Sequence, residues 1–414
     1  MNQERLLERF LRYVQVDTTA REEVDEYPSS AGQFELGKLV AAELRDAGAE
    51  DVQQSEHGIV TATVPATGSK DSPIVALCAH FDTSPETTGQ NVKPQVIRDY
   101  QGGDIELSGA DDAFIRESEN PELADLHGAT LITTDGTTLL GGDDKAGMAI
   151  IVETVAHLIE NPELKHGPVR VCLTCDEEVG RGTDYIDLAQ LGADVCYTLD
   201  GQGKGELDVE TFSADLATVT IHGVNIHPAI AKDKMVNAVR IVGDYLSRMP
   251  GEGCSPETTC DRVGFMHPYT IEGGVGEVTL RILLRDFDTA KLTEYADTLL
   301  SIATEVEGDH SGSKVDVQVR EQYRNMADGL TKEPRVVALA EQAYKQLGVT
   351  PNLTIVRGGT DGSKLTEMGL PTPNLSSGQH AIHSPLEWAC LDEMDFAGRH
   401  LIELLKLWAE ESKN

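Results

Sequence analysis

Four stretches of this chain place acids or histidines where an apolar run ends. The run 169–174, VRVCLT, is followed by Cys175-Asp176-Glu177-Glu178, and 195–199 is followed by Asp200-Gly201. The run 74–79 delivers His80-Phe81-Asp82, and Asp143-Asp144 stand just ahead of an amphipathic run over 145–159. Neighbouring side chains in extended backbone alternate faces, so of Glu177 and Glu178 one can bind a metal while the other reaches a water on it. In His80-Phe81-Asp82 the imidazole can be a ligand and the Asp82 carboxylate can orient it. Asp is a favoured helix cap, which suits Asp144 and leaves Asp143 free to bridge two cations through its two oxygens. His380 and His383, in GQHAIHSPLEWA, are further candidate ligands. Collecting His80, Asp143, Glu178, Asp200 and His383 gives a mixed nitrogen and oxygen set, which suits zinc better than calcium or magnesium. With Asp143 shared, each of two zinc ions has three protein ligands, and Glu177 is the general base that takes a proton from water and returns it to a leaving amine.

Chemistry of this kind needs a scaffold that converges strand ends. A pair of glutamates after a strand, or a single HxD, is commonplace alone; four segments bringing one ligand type to one sheet edge is not. Apolar strands alternate with amphipathic helices along 59–211 and again along 334–411, the pattern of a mostly parallel sheet flanked by helices, with sites at the strand C-termini. Between them the order changes to strand, helix, strand, strand, helix, strand. This βαββαβ order predicts a ferredoxin-like insert over 212–321, with 1–211 and 322–414 forming the metal-bearing domain. The segment 83–128 is rich in turn residues and is read as a polar connection.

Composition narrows the partners. At 414 residues the chain is long enough for two domains, and 70 acids against 34 Lys and Arg give a formal charge of −36. Such a charge repels phosphate backbones and anionic membranes, so no nucleic-acid or membrane partner is expected. No apolar stretch approaches a membrane span, the start is an amphipathic helix rather than a signal peptide, and seven cysteines without paired CxxC knuckles read as reduced thiols, all pointing to the cytoplasm. RGGTDGSK and GQGKG miss the phosphate-loop and dinucleotide spacings, so a nucleotide site is rejected.

The motifs HFDTSP, LLGGDDKAG, DEEVG, TLDG, RDFD, RGGTDG and HSPLE resemble, in order, those of the di-zinc aminopeptidase and carboxypeptidase family, in particular its tripeptide aminopeptidases. The resemblance spans nearly the whole chain. It implies a di-zinc exopeptidase fold, two zinc ions per subunit on the five ligands above, Glu177 as base and Asp82 as the acid behind His80. It further implies that His227 stabilises the oxyanion, that Arg285 and Arg357 hold the peptide carboxylate, and that Asn325 contacts the peptide. Tripeptides are then the substrates, and the insert allows pairing into a homodimer. A carboxypeptidase or N-acyl amino acid deacylase on the same centre is the alternative. The sequence departs from the family at Cys175, where proline is usual, at Ala229-Ile230, and at HSPLE, which leaves His380 as the alternative to His383.

Overall fold

The computed structural model describes residues 1–413, which divide into two compact units. The first comprises Met1–Val209, Asp328–Thr354 and the chain from Thr360 onward. Its eleven-stranded sheet follows a path of nine strands in the order Glu50–Gln54, Val60–Val64, Val169–Thr174, Val75–His80, Val195–Gln202, Asn374–His380, Trp388–Cys390, Leu131–Thr133 and Gln95–Ile97, with Glu206–Thr211 paired to Asn374–His380 and Asn352–Val356 paired to Glu206–Thr211 off this path. The four central strands, from Val169–Thr174 to Asn374–His380, run parallel to one another, and antiparallel strands flank them on both sides. The fold class read from the sequence, α/β with a mostly parallel centre and a βαββαβ insert, is the one observed. Parallel strands covered on both faces read as continuous apolar runs, and Val75–His80 is buried at every position. Val60–Val64, nearer the edge, instead alternates buried and half-buried residues.

The helix Gly142–Glu160 explains how one end of this sheet is held. It packs on Val75–His80 and Val195–Gln202 and is itself covered by the helices Gln3–Val14, Ala31–Ala47 and Leu391–Glu410. Being surrounded, it is apolar on most sides rather than on one stripe, with Met148, Ile150, Ile151, Val152 and Val155 all fully buried. Glu153, buried among them, receives Arg5 at 2.6 Å and also binds Arg9. Helical geometry starts only at Lys145, because Asp143 and Asp144 have non-helical backbone angles. The two aspartates therefore belong to the turn that enters the helix.

Two parts of this unit differ from the sequence reading. The stretch 83–128 is not a bare polar connection: it contains the strand Gln95–Ile97 and a small hairpin, Ile105–Glu106 with Phe114–Ile115. Its Tyr100, Ile105, Leu107, Ile115 and Leu123 form a core with Trp388 and Cys390. The central strand Asn374–His380 was also not foreseen, since NLSSGQH lacks β-branched residues, yet all seven of its residues are buried. No helix among the described residues is long and apolar enough to cross a membrane.

The second unit comprises Glu210–Ala327 and Ile355–Gly359. Its strands Ser213–His222, Phe265–Gly273, Glu277–Asp286 and Lys314–Tyr323 and helices Ala238–Arg248 and Thr289–Asp309 follow the order βαββαβ, with an antiparallel sheet that places Ser213–His222 between Glu277–Asp286 and Lys314–Tyr323. The helices share one core with the sheet through Ala217, Val219, Ile221, Ile282 and Leu284. The return segment Ile355–Gly359 lies within 322–414, which the sequence reading gave to the other domain. It is drawn into this unit because Val356 accepts the Phe212 N–H at 3.1 Å and the Arg357 guanidinium stacks over Phe212 and Phe265.

Candidate metal centre

The C-terminal ends of the central parallel strands, with the turn before Lys145 and the loop after His380, bring His80, Asp143, Glu178, Asp200 and His383 together. Asp143 sits in the middle. Its Oδ1 lies 3.0 Å from His80 Nε2 and its Oδ2 lies 3.2 Å from His383 Nε2. His80 Nε2 is also 3.8 Å from Asp200 Oδ1, while His383 Nε2 is 3.0 Å from Glu178 Oε2. Two groups of donors thus share one carboxylate, each group with one histidine and one further acid. Donor atoms of His80, Asp143 and Glu178 lie within 4.8 Å of one another, as do those of His80, Asp144 and Asp200. Asp144 is nevertheless the weaker candidate of the two aspartates. Its Oδ1 accepts the Gly147 N–H at 3.2 Å, as a helix cap does, and its Oδ2 accepts the His80 N–H at 3.3 Å.

The cluster is electrostatically costly without a cation. Burial first, and then the charge of Asp143, push Glu178 up to about 8 and Asp200 up to about 7. Burial also drives Glu177 well above the usual carboxylate range, with Asp361, Asp200 and Glu178 adding to it. Burial works against protonation of His383, but hydrogen bonds to Asp143 and Glu178 outweigh it and carry the imidazole up to about 11. Glu178 Oε1 is buried with no hydrogen-bond partner. Buried acids that repel each other, an unpaired carboxylate oxygen and two imidazoles facing inward are the donor set a pair of divalent cations satisfies.

A second ring of contacts fixes these groups. Both oxygens of Asp82 accept backbone N–H groups, from Glu177 at 3.1 Å and Glu178 at 2.9 Å, while Oδ1 lies 3.4 Å from His80 Nδ1. Asp82 therefore sets the Glu177–Glu178 turn as well as the imidazole. Asp176 adopts a left-handed φ of 61° at the bend ahead of the glutamates, and its fully buried carboxylate accepts from Ser29, Gln33 and Arg181. Glu177 Oε1 accepts the Asp361 N–H at 3.2 Å, and Asp361 in turn accepts the Thr174 hydroxyl at 2.6 Å. Glu387 receives the N–H groups of Leu140, Gly141 and Asp143 and so holds the turn that presents Asp143. Gln379 donates to Asp200 Oδ1 at 3.2 Å. Glu86 lies 3.2 Å from His383 Nδ1.

Of these supporting residues, only Asp82 was foreseen. Asp176, Asp361, Gln379 and Glu387 lie inside the quoted stretches DEEVG, RGGTDG and GQHAIHSPLEWA, whose length beyond the assigned residues was the available signal; Glu86 had none. His380 is elsewhere: it stacks on Trp388 at 3.8 Å and binds Glu393 at 2.7 Å, whereas His383, at a left-handed φ of 61°, turns into the cluster.

The four candidates for peptide contact lie in the second unit. His227 is exposed and its Nδ1 accepts the Ala229 N–H at 3.2 Å. Arg285 is buried with Nη1 on the carbonyls of Asp215 and Leu284. Arg357 Nη1 binds the carbonyls of Asp261 and Val263 and Nη2 binds Thr259 Oγ1. Asn325 donates to Phe287 O and accepts from Thr211 and Ala327.

A largely parallel α/β sheet with a histidine and carboxylate cluster at its C-terminal edge, in a chain that also carries a βαββαβ unit, defines the class of metallo-exopeptidases. The sequence profile of peptidase family M20/M25/M40 matches residues 135–407, and the chain belongs to that family. A protein named peptidase T from Geobacillus thermodenitrificans is 42% identical over 412 residues, covering 100% of each chain. One of the same name from Listeria monocytogenes is 40% identical over 408 residues, 99% of each. Among solved structures, aminopeptidase PepT from Bacillus cereus superposes with a TM-score of 0.75 at 25% identity, over 99% of this chain and 100% of that one. A tripeptidase from Staphylococcus aureus shares the fold, with a TM-score of 0.77 at 24% identity over 99% and 100%.

Proposed function

We propose that this chain is a metal-dependent aminopeptidase that removes the N-terminal residue from tripeptides. The observation that carries it is Asp143, whose two oxygens face two histidines of two separate donor groups, 3.0 and 3.2 Å away, with a partly buried Glu177 alongside. We assign two zinc ions, one to His80, Asp200 and Asp143 and one to Glu178, His383 and Asp143. Bound there, the ions supply Lewis acidity toward the scissile carbonyl and lower the pKa of water.

The chain's own groups do the rest. Glu177 reaches within 4.0 Å of His80 Nε2 and is held by the Asp361 N–H, so its carboxylate is fixed beside the centre to accept a proton from water and pass it to the departing amine. Asp82 keeps His80 oriented and the two glutamates in register. His227 is assigned as the oxyanion donor: with Nδ1 accepting from Ala229, the neutral ring carries its proton on Nε2. Arg285 and Arg357 are assigned to the peptide carboxylate and Asn325 to the peptide backbone, on the motif resemblance. The same resemblance supports homodimerisation through the second unit. All seven cysteines are free, which supports a reducing, cytoplasmic setting.

The test is release of the N-terminal amino acid from a tripeptide panel by zinc-loaded protein, with Glu177→Gln beside it. The reading expects loss of turnover on chelation, recovery with zinc, and a rate lower by about 10²–10⁴ in the variant at unchanged zinc content, the range general base catalysis supplies. Release of the C-terminal residue instead, or undiminished turnover by Glu177→Gln, overturns it.

A further inference from the structure

Away from the metal centre, the first unit contains a cavity with about 270 Å³ open to the centres of water-sized molecules, against the roughly 10–15 Å³ that one water needs. Its floor is the pair of strands Val60–Val64 and Val169–Thr174, where Thr61 faces Cys172 and Thr63 faces Arg170 across the register. The segment 185–191 lines the same cavity through Tyr185, Ile186, Asp187, Gln190 and Leu191. Asp51 and Asp187, both exposed, line the same cavity.

Arg170 is the unusual member. In a chain with 70 acids, this half-buried guanidinium forms no ion pair among the described residues; it reaches only the Thr63 hydroxyl, and its Nε is buried with no acceptor. An unpaired guanidinium facing a cavity is a carboxylate receptor by chemistry. Acids at the opposite sign and an apolar surface from Ile59, Ile186 and Leu191 complete a set that matches a zwitterion with an apolar side chain.

We propose that this cavity binds a free α-amino acid with an apolar side chain, Arg170 receiving its carboxylate and Asp51 or Asp187 its ammonium. The site itself stands on the cavity and the unpaired Arg170; the choice of an amino acid rests on the peptidase reading, which makes this molecule a source of them. The segment 185–191 is linked through Tyr27 to the residue that leads into the catalytic turn. Tyr185 packs 4.6 Å from Tyr27, whose hydroxyl donates to the Cys175 carbonyl at 2.9 Å, two residues before Glu177. An occupant is therefore a product held against the segment that leads out of the Glu177–Glu178 turn.

Amide hydrogen exchange of the zinc-loaded, full-length protein tests this without measuring turnover. L-leucine is expected to slow exchange across 185–191 in a saturable way. 4-Methylpentanoate, without the ammonium, and isopentylamine, without the carboxylate, should each need at least ~10-fold more, one lost ion pair's worth. Arg170→Met should shift the leucine midpoint by a similar factor, and Thr61→Leu, which fills the cavity from the neighbouring strand and covers the case of a poorly folded Arg170 variant, should abolish protection. Protection confined to the metal centre, an unchanged midpoint in Arg170→Met, or equal protection by 4-methylpentanoate overturns the proposal. Protection at 185–191 in a protein that cleaves no tripeptide leaves the site standing and removes the peptidase reading.

Discussion

The two halves of the metal centre are built differently. His80 sits at the end of a central strand, 2% exposed, with Asp82 behind it and Asp143 and Asp200 ahead. His383 sits on a loop in left-handed backbone, its side chain 32% exposed, and its outer partner Glu86 is 70% exposed. The first half is fixed by the sheet, the second by a loop conformation and by the ligands themselves. Enzymes that must admit and release substrate tend to keep one wall rigid and let mobility fall on loops. On that reading, the His80 side should matter to folding as much as to metal, the His383 side to metal more than to folding.

The largest effect is expected where the halves meet. Asp143→Asn keeps size but leaves one carbonyl oxygen and an amide in place of two carboxylate oxygens, so the two donor groups lose their shared acid. Metal per chain should drop from two ions to one or none, and turnover by at least ~10², beyond the ~10–100-fold that losing an outer partner costs. Two ions retained, by elemental analysis of the purified variant, would remove Asp143 as the bridge.

The comparison itself is sharpened by His80→Ala beside His383→Ala, each melted after chelation. His80→Ala leaves Asp82 and its neighbours without a buried partner and should cost about 1–3 kcal/mol of metal-free stability. His383→Ala, at a side chain 32% exposed, removes the imidazole that Asp143 and Glu178 share and should cost less than His80→Ala while losing metal just as surely. Equal melting losses would mean that the loop half is as structural as the strand half.

A smaller contrast is expected one layer out. Glu387→Gln disturbs three backbone donors around Asp143 from a fully buried position, and zinc affinity should fall ~10–100-fold. Glu86→Ala removes a solvent-exposed partner of His383 and should cost less than ~10-fold. The reverse order, in competition with a zinc chelator of known affinity, breaks the distinction between a rigid and an adaptable half.

How much of this the sequence disclosed follows the same division. Strand-end residues were readable because a buried parallel strand leaves an apolar run, and the first polar group after it must lie at the sheet edge; His80, Glu177 and Asp200 came from that rule. The strand Asn374–His380 escaped it because it is buried yet polar, its Asn374 and Ser376 satisfied by Thr198, Asp208 and Glu206 instead of by an apolar environment. With that strand unseen, the turn that separates His380 from His383 was unseen too, and the choice between them rested on motif likeness. Asp176 and Glu387 lie inside quoted motifs but were passed over for another reason: they bind backbone N–H groups and side chains brought together only by the fold, so the motif marks them without showing what they hold.

The smallest effect expected separates metal loss from unfolding in acid. Acidification releases metal from histidine and carboxylate sites, but it also acts on His400, buried in the helix Leu391–Glu410, where Nε2 lies 3.0 Å from the Ala340 carbonyl and the ring stacks 3.6 Å from Tyr344. Burial lowers His400 from 6.5 to about 4, against a smaller opposing effect of the Ala340 carbonyl. Between those values the unfolded chain binds more protons than the folded one, so the stability this neutral imidazole contributes is complete above about pH 6.5 and is lost progressively as pH falls toward 4. At pH 5.5 the loss is about 1.4 kcal/mol, one decade below the unfolded value. That is worth a few degrees in melting temperature for a domain of this size. His400→Phe, which keeps the stack on Tyr344, should remove this few-degree acid loss from the chelated protein, so that the melting temperature of the variant falls less, or rises more, between pH 7 and 5.5 than that of the unsubstituted chain, while leaving the pH at which zinc is released unmoved. If the two shift together, metal loss in acid reports on the helix layer rather than on either half of the centre, and the contrast between His80 and His383 must be measured at neutral pH alone.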